Sequence, residues 1–228
     1  MNRRSPVGLA AMAVLLTAAC GYSGPPAATL LQRAATTFNS TGSFHVVLTS
    51  DGVAGSGTLL TGAVGDATRP DGFTGTLDVT EAGLPLQIGV VSSGGDFYAR
   101  LPFSTVYVKA DPSQYGFADP GRLLDPSTGI STLITGARHA SVSGDVRQNG
   151  ETLVQVAAQV PGTLVAALLT DADPGQGVDI TFGIDPGTYQ VRQVDLTGPI
   201  FEKGDQSTFH LVLDKYGENV SVSAPPTP

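Results

Sequence analysis

Apolar and polar positions along this chain change rhythm several times, and each change predicts an element. Leu30, Leu31, Ala34, Ala35 and Phe38 recur at helical spacing after Thr29, which reads as a cap, so a first helix is expected there. From Phe44 the period becomes two: Phe44, Val46 and Leu48 alternate with His45, Val47 and Thr49. Gly57 to Val64 forms a second strand segment, ended by Gly65 and Asp66. Leu77 and Val79 share one face, as do Leu86, Ile88 and Val90 beyond a turn at Glu81 to Gly83. Phe97 to Leu101 and Thr105 to Lys109 continue the meander, and these short spacings favour antiparallel pairing.

The middle of the chain is different. Asp111-Pro112, Asp119-Pro120 and Asp125-Pro126 each place a capping carboxylate before a proline that suits a first helical turn. Residues 119–124 read as a helical turn, and 125–136 as a helix through Ile130, Leu133 and Ile134. Strands resume at 142–147 and 152–160 around Gln148-Asn149-Gly150-Glu151, a strong hairpin signal. Pro161 to Thr170 is nearly all apolar and predicts a third, buried helix. Residues 175–183, 188–197, 206–214 and 219–223 complete the expected strands. Helices cannot occupy a small closed barrel filled by its own side chains. The expected fold is therefore α+β: an open, strongly curved antiparallel sheet with helices covering its concave face.

The amino terminus carries a separate signal. Arg3 and Arg4 precede an apolar run from Val7 to Thr17, too short to span a bilayer, and Ala18-Ala19-Cys20 follows. Leu16-Thr17-Ala18-Ala19-Cys20 resembles a bacterial lipobox, in which the cysteine becomes the acylated first residue of the mature protein. Residues 1–19 are thus read as a signal peptide, Cys20 as the lipid anchor, 20–28 as a linker, 29–224 as one domain and 225–228 as a flexible tail. The other reading is an ordinary signal peptide with an incidental cysteine.

The chain has 12 Lys+Arg against 20 Asp+Glu, a net charge of −8. That balance argues against nucleic acid as a partner and against electrostatic adhesion to anionic lipid. Cys20 is the single cysteine, so a disulfide within the domain is excluded and stability must come from packing. Catalytic chemistry is missing. His45, His139 and His210 are far apart, with His45 and His210 at strand positions expected to face solvent. No Gly-x-Ser-x-Gly elbow or Ser-x-x-Lys pair occurs, and the Asp-Pro pairs match no oxygen-ligand spacing for calcium. The expectation is no enzyme, no cofactor and no metal.

Residues 107–134, through Asp119-Pro120, Leu123-Leu124-Asp125-Pro126, Gly129-Ile130 and Leu133, resemble the middle of mycobacterial lipoproteins of the LppX/LprA/LprF/LprG group. The close, Lys215-Tyr216-Gly217-Glu218-Asn219-Val220-Ser221-Val222, resembles that family's ending, with Tyr216 where tryptophan is usual. The resemblance implies an antiparallel half-barrel sheet with helices on its concave face enclosing an apolar, acyl-lined cavity, and the binding of multi-acylated lipids, triacylated glycolipid or triacylglycerol, for delivery toward the outer envelope. For some members it also implies an exporter of the major facilitator type as partner; a monomer anchored to the cell membrane and facing the periplasm or the extracellular side is expected. Leu77 falls where the family places a cavity-lining residue. Val79, Leu86, Ile88 and Val90 are further candidates from the strands, and Leu133, Ile134, Leu164 and Leu168 from the helices. Each either lines a cavity or fills a solid core, since both want the same side chains. A lipid-sensing or partner-binding module without transport, and an envelope esterase, are the alternatives.

Overall fold

The computed structural model describes residues 22–55, 57–201 and 203–227; the signal segment and Cys20 lie outside them. Eleven strands form one antiparallel sheet, in the order β6-β5-β4-β3-β2-β1-β11-β10-β9-β8-β7. They are β1 (Ser43–Asp51), β2 (Thr58–Thr68), β3 (Gly72–Glu81), β4 (Leu84–Ser93), β5 (Asp96–Arg100), β6 (Val108–Lys109), β7 (Arg138–Gln148), β8 (Glu151–Pro161), β9 (Gly177–Ile184), β10 (Val191–Gly198) and β11 (Ser207–Asp214). Almost every neighbour pair is a hairpin; the exception is β1 with β11, which joins the two halves of the chain. The sheet does not close, because β6 and β7 are its free edges.

Alternation in sequence becomes two faces in space. Across the strands, Ile88, Leu77, Ala63, Leu48, Leu211, Val194, Phe182 and Val156 stand opposite one another in a continuous transverse row. A single apolar core grows on that face. The opposite face is polar, with Gln87 donating to Asp78 at 2.9 Å and Gln159 to Asp179 at 2.9 Å. Register shifts in β2, β10 and β7 insert extra residues, and such bulges bend a strand.

Helix α1 (Ala27–Ser40) buries Leu30, Leu31, Ala34, Ala35 and Phe38 on the core face, where it lies against α2 (Ser131–Gly136) and β7. Two 3-10 turns, Pro112–Tyr115 and Pro120–Arg122, and the short α3 (Gly162–Ala166) complete that layer. The three aspartates act as read: Asp111 accepts from the Ser113 amide at 3.0 Å, Asp119 from Gly121 at 2.9 Å and Asp125 from Ser127 at 2.7 Å. At the hairpin, Asn149 and Gly150 take φ of 50° and 87°, the left-handed pair that this turn requires.

Several boundaries differ from the sequence reading, each for a local reason. Thr29 is no cap: the helix starts at Ala27 behind Pro26, and the Thr29 amide bonds the Pro26 carbonyl at 2.9 Å. β2 does not stop at Gly65 but runs to Thr68. Gly65 is needed inside it because the Phe73 ring lies where a Cβ would stand, 2.5 Å away. Residues 125–136 form a turn and then the shorter α2. The third helix is also short. The carbonyl of Leu168 accepts from Ala118 at 2.9 Å, and the Thr170 amide donates to Gly116 at 3.2 Å. These tertiary bonds take the Leu168 carbonyl and the Thr170 amide out of helical pairing. Residues 219–223 are not a strand, since β2 and β11 already occupy both sides of β1.

Candidate functional site

The bonds between 116–118 and 168–170 set the roof of an apolar cavity. From the sheet come Val46 and Leu48 of β1, Leu60 and Ala63 of β2, Phe73 and Leu77 of β3, Leu196 of β10, and Phe209 and Leu211 of β11. From the covering layer come Phe117, Ala118, Asp119, Pro120, Leu123, Ile130, Leu133, Leu168 and Leu169. Asp119 is the one charged residue in this wall, and its carboxylate is turned into the cap on Gly121. Leu123, Leu168 and Leu211 are half-buried and mark where the cavity meets solvent.

The roof is held by aromatic packing. Phe97 of β5 meets Phe117 edge-on at 5.8 Å, and Tyr115 stacks on Phe117 at 6.1 Å. Burial pushes the Tyr115 phenol above its ordinary value, with Glu81 adding to the shift. At the far end of the core, Phe38 and Phe44 lie 5.6 Å apart and Tyr216 packs on Phe44 at 6.1 Å. Tyr216 donates to the Val191 carbonyl, and desolvation drives its phenol pKa well upward.

The hollow is small. Its volume is about 110 Å3, whereas a dry void of about 150 Å3 holds a benzene ring and pockets for drug-sized ligands run to about 300–1,000 Å3. An apolar wall of this kind can take a stretch of hydrocarbon, with each buried methylene worth about 0.8 kcal/mol.

Of the candidate positions, the cavity brings together Leu77, Leu133 and Leu168. Val79, Ile88, Val90 and Ile134 are buried in the surrounding core, and Leu86 and Leu164 pack partly buried against it. From the sequence, no wall residue is named on β1, β2, β10 or β11 or at Phe117 to Leu123, and Phe73, Ile130 and Leu169 are also omitted. Alternation marks their faces, but only the β1–β11 pairing brings Leu48 and Leu211 opposite each other. The histidines lie where the strand alternation puts them. His45 and His210 lie on the polar face but are half-buried, with Nδ1 2.7 Å from Asp66 and 2.9 Å from Asp195. His139 is exposed, beside a shallow polar groove at the ends of β7, β8 and β9. Among the described residues, no three His, Cys, Asp or Glu side chains are grouped to hold a metal ion.

An open antiparallel sheet with a short helical layer on its apolar face defines the class of fold. The LppX_LprAFG lipoprotein family matches residues 26–222, and the chain belongs to that family. LprF from Mycobacterium bovis superposes with a TM-score of 0.70 at 18% identity, covering 89% of this chain and 99% of that one. LppX from Mycobacterium tuberculosis superposes at 0.59 and 16% identity, covering 86% and 97%. In sequence, the lipoarabinomannan carrier protein LprG of Mycobacterium tuberculosis is 26% identical over 232 residues, spanning 96% of this chain and 94% of its own. The protein of that name from Mycolicibacterium smegmatis is 27% identical over 239 residues, spanning 97% and 95%.

Proposed function

We propose that this protein is a lipid carrier, holding acyl chains of a multi-acylated lipid between the sheet and the 117–133 segment and moving it toward the outer envelope. It is tethered through Cys20 to the outer leaflet of the cytoplasmic membrane and acts as a monomer. The observation that carries this reading is the apolar wall, in which sheet and cover meet with one charged residue among eighteen. The carrier name borne by LprG relatives across nearly the whole chain supports it. An exporter of the major facilitator type would be the membrane partner.

Size sets the mechanism. At about 110 Å3 the hollow holds part of one chain, so a multi-acylated cargo requires the cover to swing away from β3, β1 and β11. The cover is suited to this: several short turns and a six-residue helix, joined by loops rather than by a sheet ladder. Burial of about ten methylenes would return roughly 8 kcal/mol toward that opening. The polar head group needs no burial and stays at the mouth by Leu123 and Leu211.

Native mass spectrometry of protein purified from its own membrane tests the proposal, with an acylated-lipid adduct as the expected result. Ala63→Phe, which fills the hollow from β2, should keep the fold and lose the adduct. A bare mass with no lipid uptake in vitro counts against carriage. The small hollow favours a second reading, a module that senses a single chain without moving cargo. It predicts a one-chain lipid on the protein and unchanged envelope lipid distribution after gene deletion.

A further inference from the structure

We propose that the loop between β5 and β6 is a membrane-contact finger that seats Phe103 in the interfacial region of a lipid bilayer. Leu101, Pro102, Phe103 and Ser104 form a tight turn closed by the Ser104 amide on the Leu101 carbonyl at 3.1 Å. Proline stands second, and the third position takes a φ of 66°, where such turns demand glycine or asparagine. Here that position is Phe103, fully exposed to solvent at 107%. A bulky residue held with positive φ is strained, and this one recovers nothing by packing. Leu101, Val106 and Val108 around it are exposed as well.

The loop is built to stand out. Ser104 Oγ bonds both the carbonyl and the amide of Val106, at 3.1 and 3.2 Å, which fixes the tip. At the base, the Arg100 guanidinium sits 5.2 Å over the Tyr107 ring, and both groups rest on Gly89, where a Cβ would be 3.0 Å from the Tyr107 hydroxyl. Charge favours a bilayer over an open-water role. The chain carries −8 overall, yet no acidic residue lies between Asp96 and Asp111, where Arg100 and Lys109 are the charged groups. Lys109 pairs with Asp96 at 2.5 Å, which leaves Arg100 to meet lipid phosphate. An apolar tip with tyrosine and arginine behind it is the composition that settles at a membrane interface. The return strand β6 leads through Pro112–Tyr115 to Phe117, so the finger is continuous with the cavity roof.

The chain contains no tryptophan, so Phe103→Trp makes a single reporter. The acylated mature protein is placed in phosphatidylcholine vesicles with and without phosphatidylglycerol, and Thr152→Trp, at an exposed position of β8, serves as a control. The expected result is blue-shifted emission at position 103, quenched by lipids brominated on their acyl chains, and more so with phosphatidylglycerol. Thr152→Trp should show neither change. Phe103→Gly should raise thermal stability by relieving the turn, so the phenyl ring is not held for packing. Water-like emission at 103, or quenching equal to the control, would overturn the proposal. A blue shift without bromolipid quenching would also overturn it, in favour of contact with a second copy of the chain. The test needs no cargo, so its failure leaves lipid carriage standing.

Discussion

Asp125 shows what one side chain contributes to the cover. Its Oδ1 accepts from the Ser127 amide at 2.7 Å, the Ser127 hydroxyl at 2.6 Å and the Thr128 amide at 3.2 Å. Those bonds, the Ser127 hydroxyl's first, hold its carboxyl below the ordinary 3.8. Asp125→Ala should cost about 1 kcal/mol at neutral pH, the usual loss for a removed cap. Because the folded value is depressed, the benefit is present in full above pH 3.8 and disappears as pH falls through the folded value. Urea unfolding of wild type and variant should therefore differ at pH 7 and converge in strong acid. At this scale the sequence was readable. An Asp-Pro pair has a local mechanism, and all three pairs cap their turns.

Elements were legible where their pattern is local and obscure where distant partners decide. The β3 and β4 strands and the Asn149-Gly150 hairpin follow directly from alternation and turn chemistry. The third helix does not, because the carbonyl that would continue it is taken by Ala118, about fifty residues earlier. Helix α1 packs against α2 and β7, and Phe38, 1% exposed, is its largest anchor. Phe38→Ala should lower stability by about 3–5 kcal/mol in denaturant unfolding. Thr36→Ala on the exposed side should change it by about 0.5 kcal/mol or less.

Across the whole molecule, the cavity is where sequence reasoning reached least far. Faces can be read from a strand, but volume depends on which strands become neighbours. β1 and β11 meet only after the rest of the chain has turned back, and their Leu48 and Leu211 then complete a wall that Leu77 begins. The result is a hollow of about 110 Å3 under a cover of short turns, smaller than a multi-acylated cargo. Carriage then means that the roof and the sheet separate together with loading, while the eleven-stranded ladder stays intact. Hydrogen exchange should be fast in residues 117–133 and slow in β1, β2 and β11 without lipid, and lipid should slow the first group alone.

The most direct measurement is photocrosslinking with a triacylated lipid carrying a diazirine midway along one acyl chain, followed by peptide mapping. The account predicts label on the peptides holding Leu77, Phe117 to Leu133 and Phe209 to Leu211, and its loss in Ala63→Phe. Label confined to the polar face or to the 101–108 loop, with none in the hollow, would contradict it.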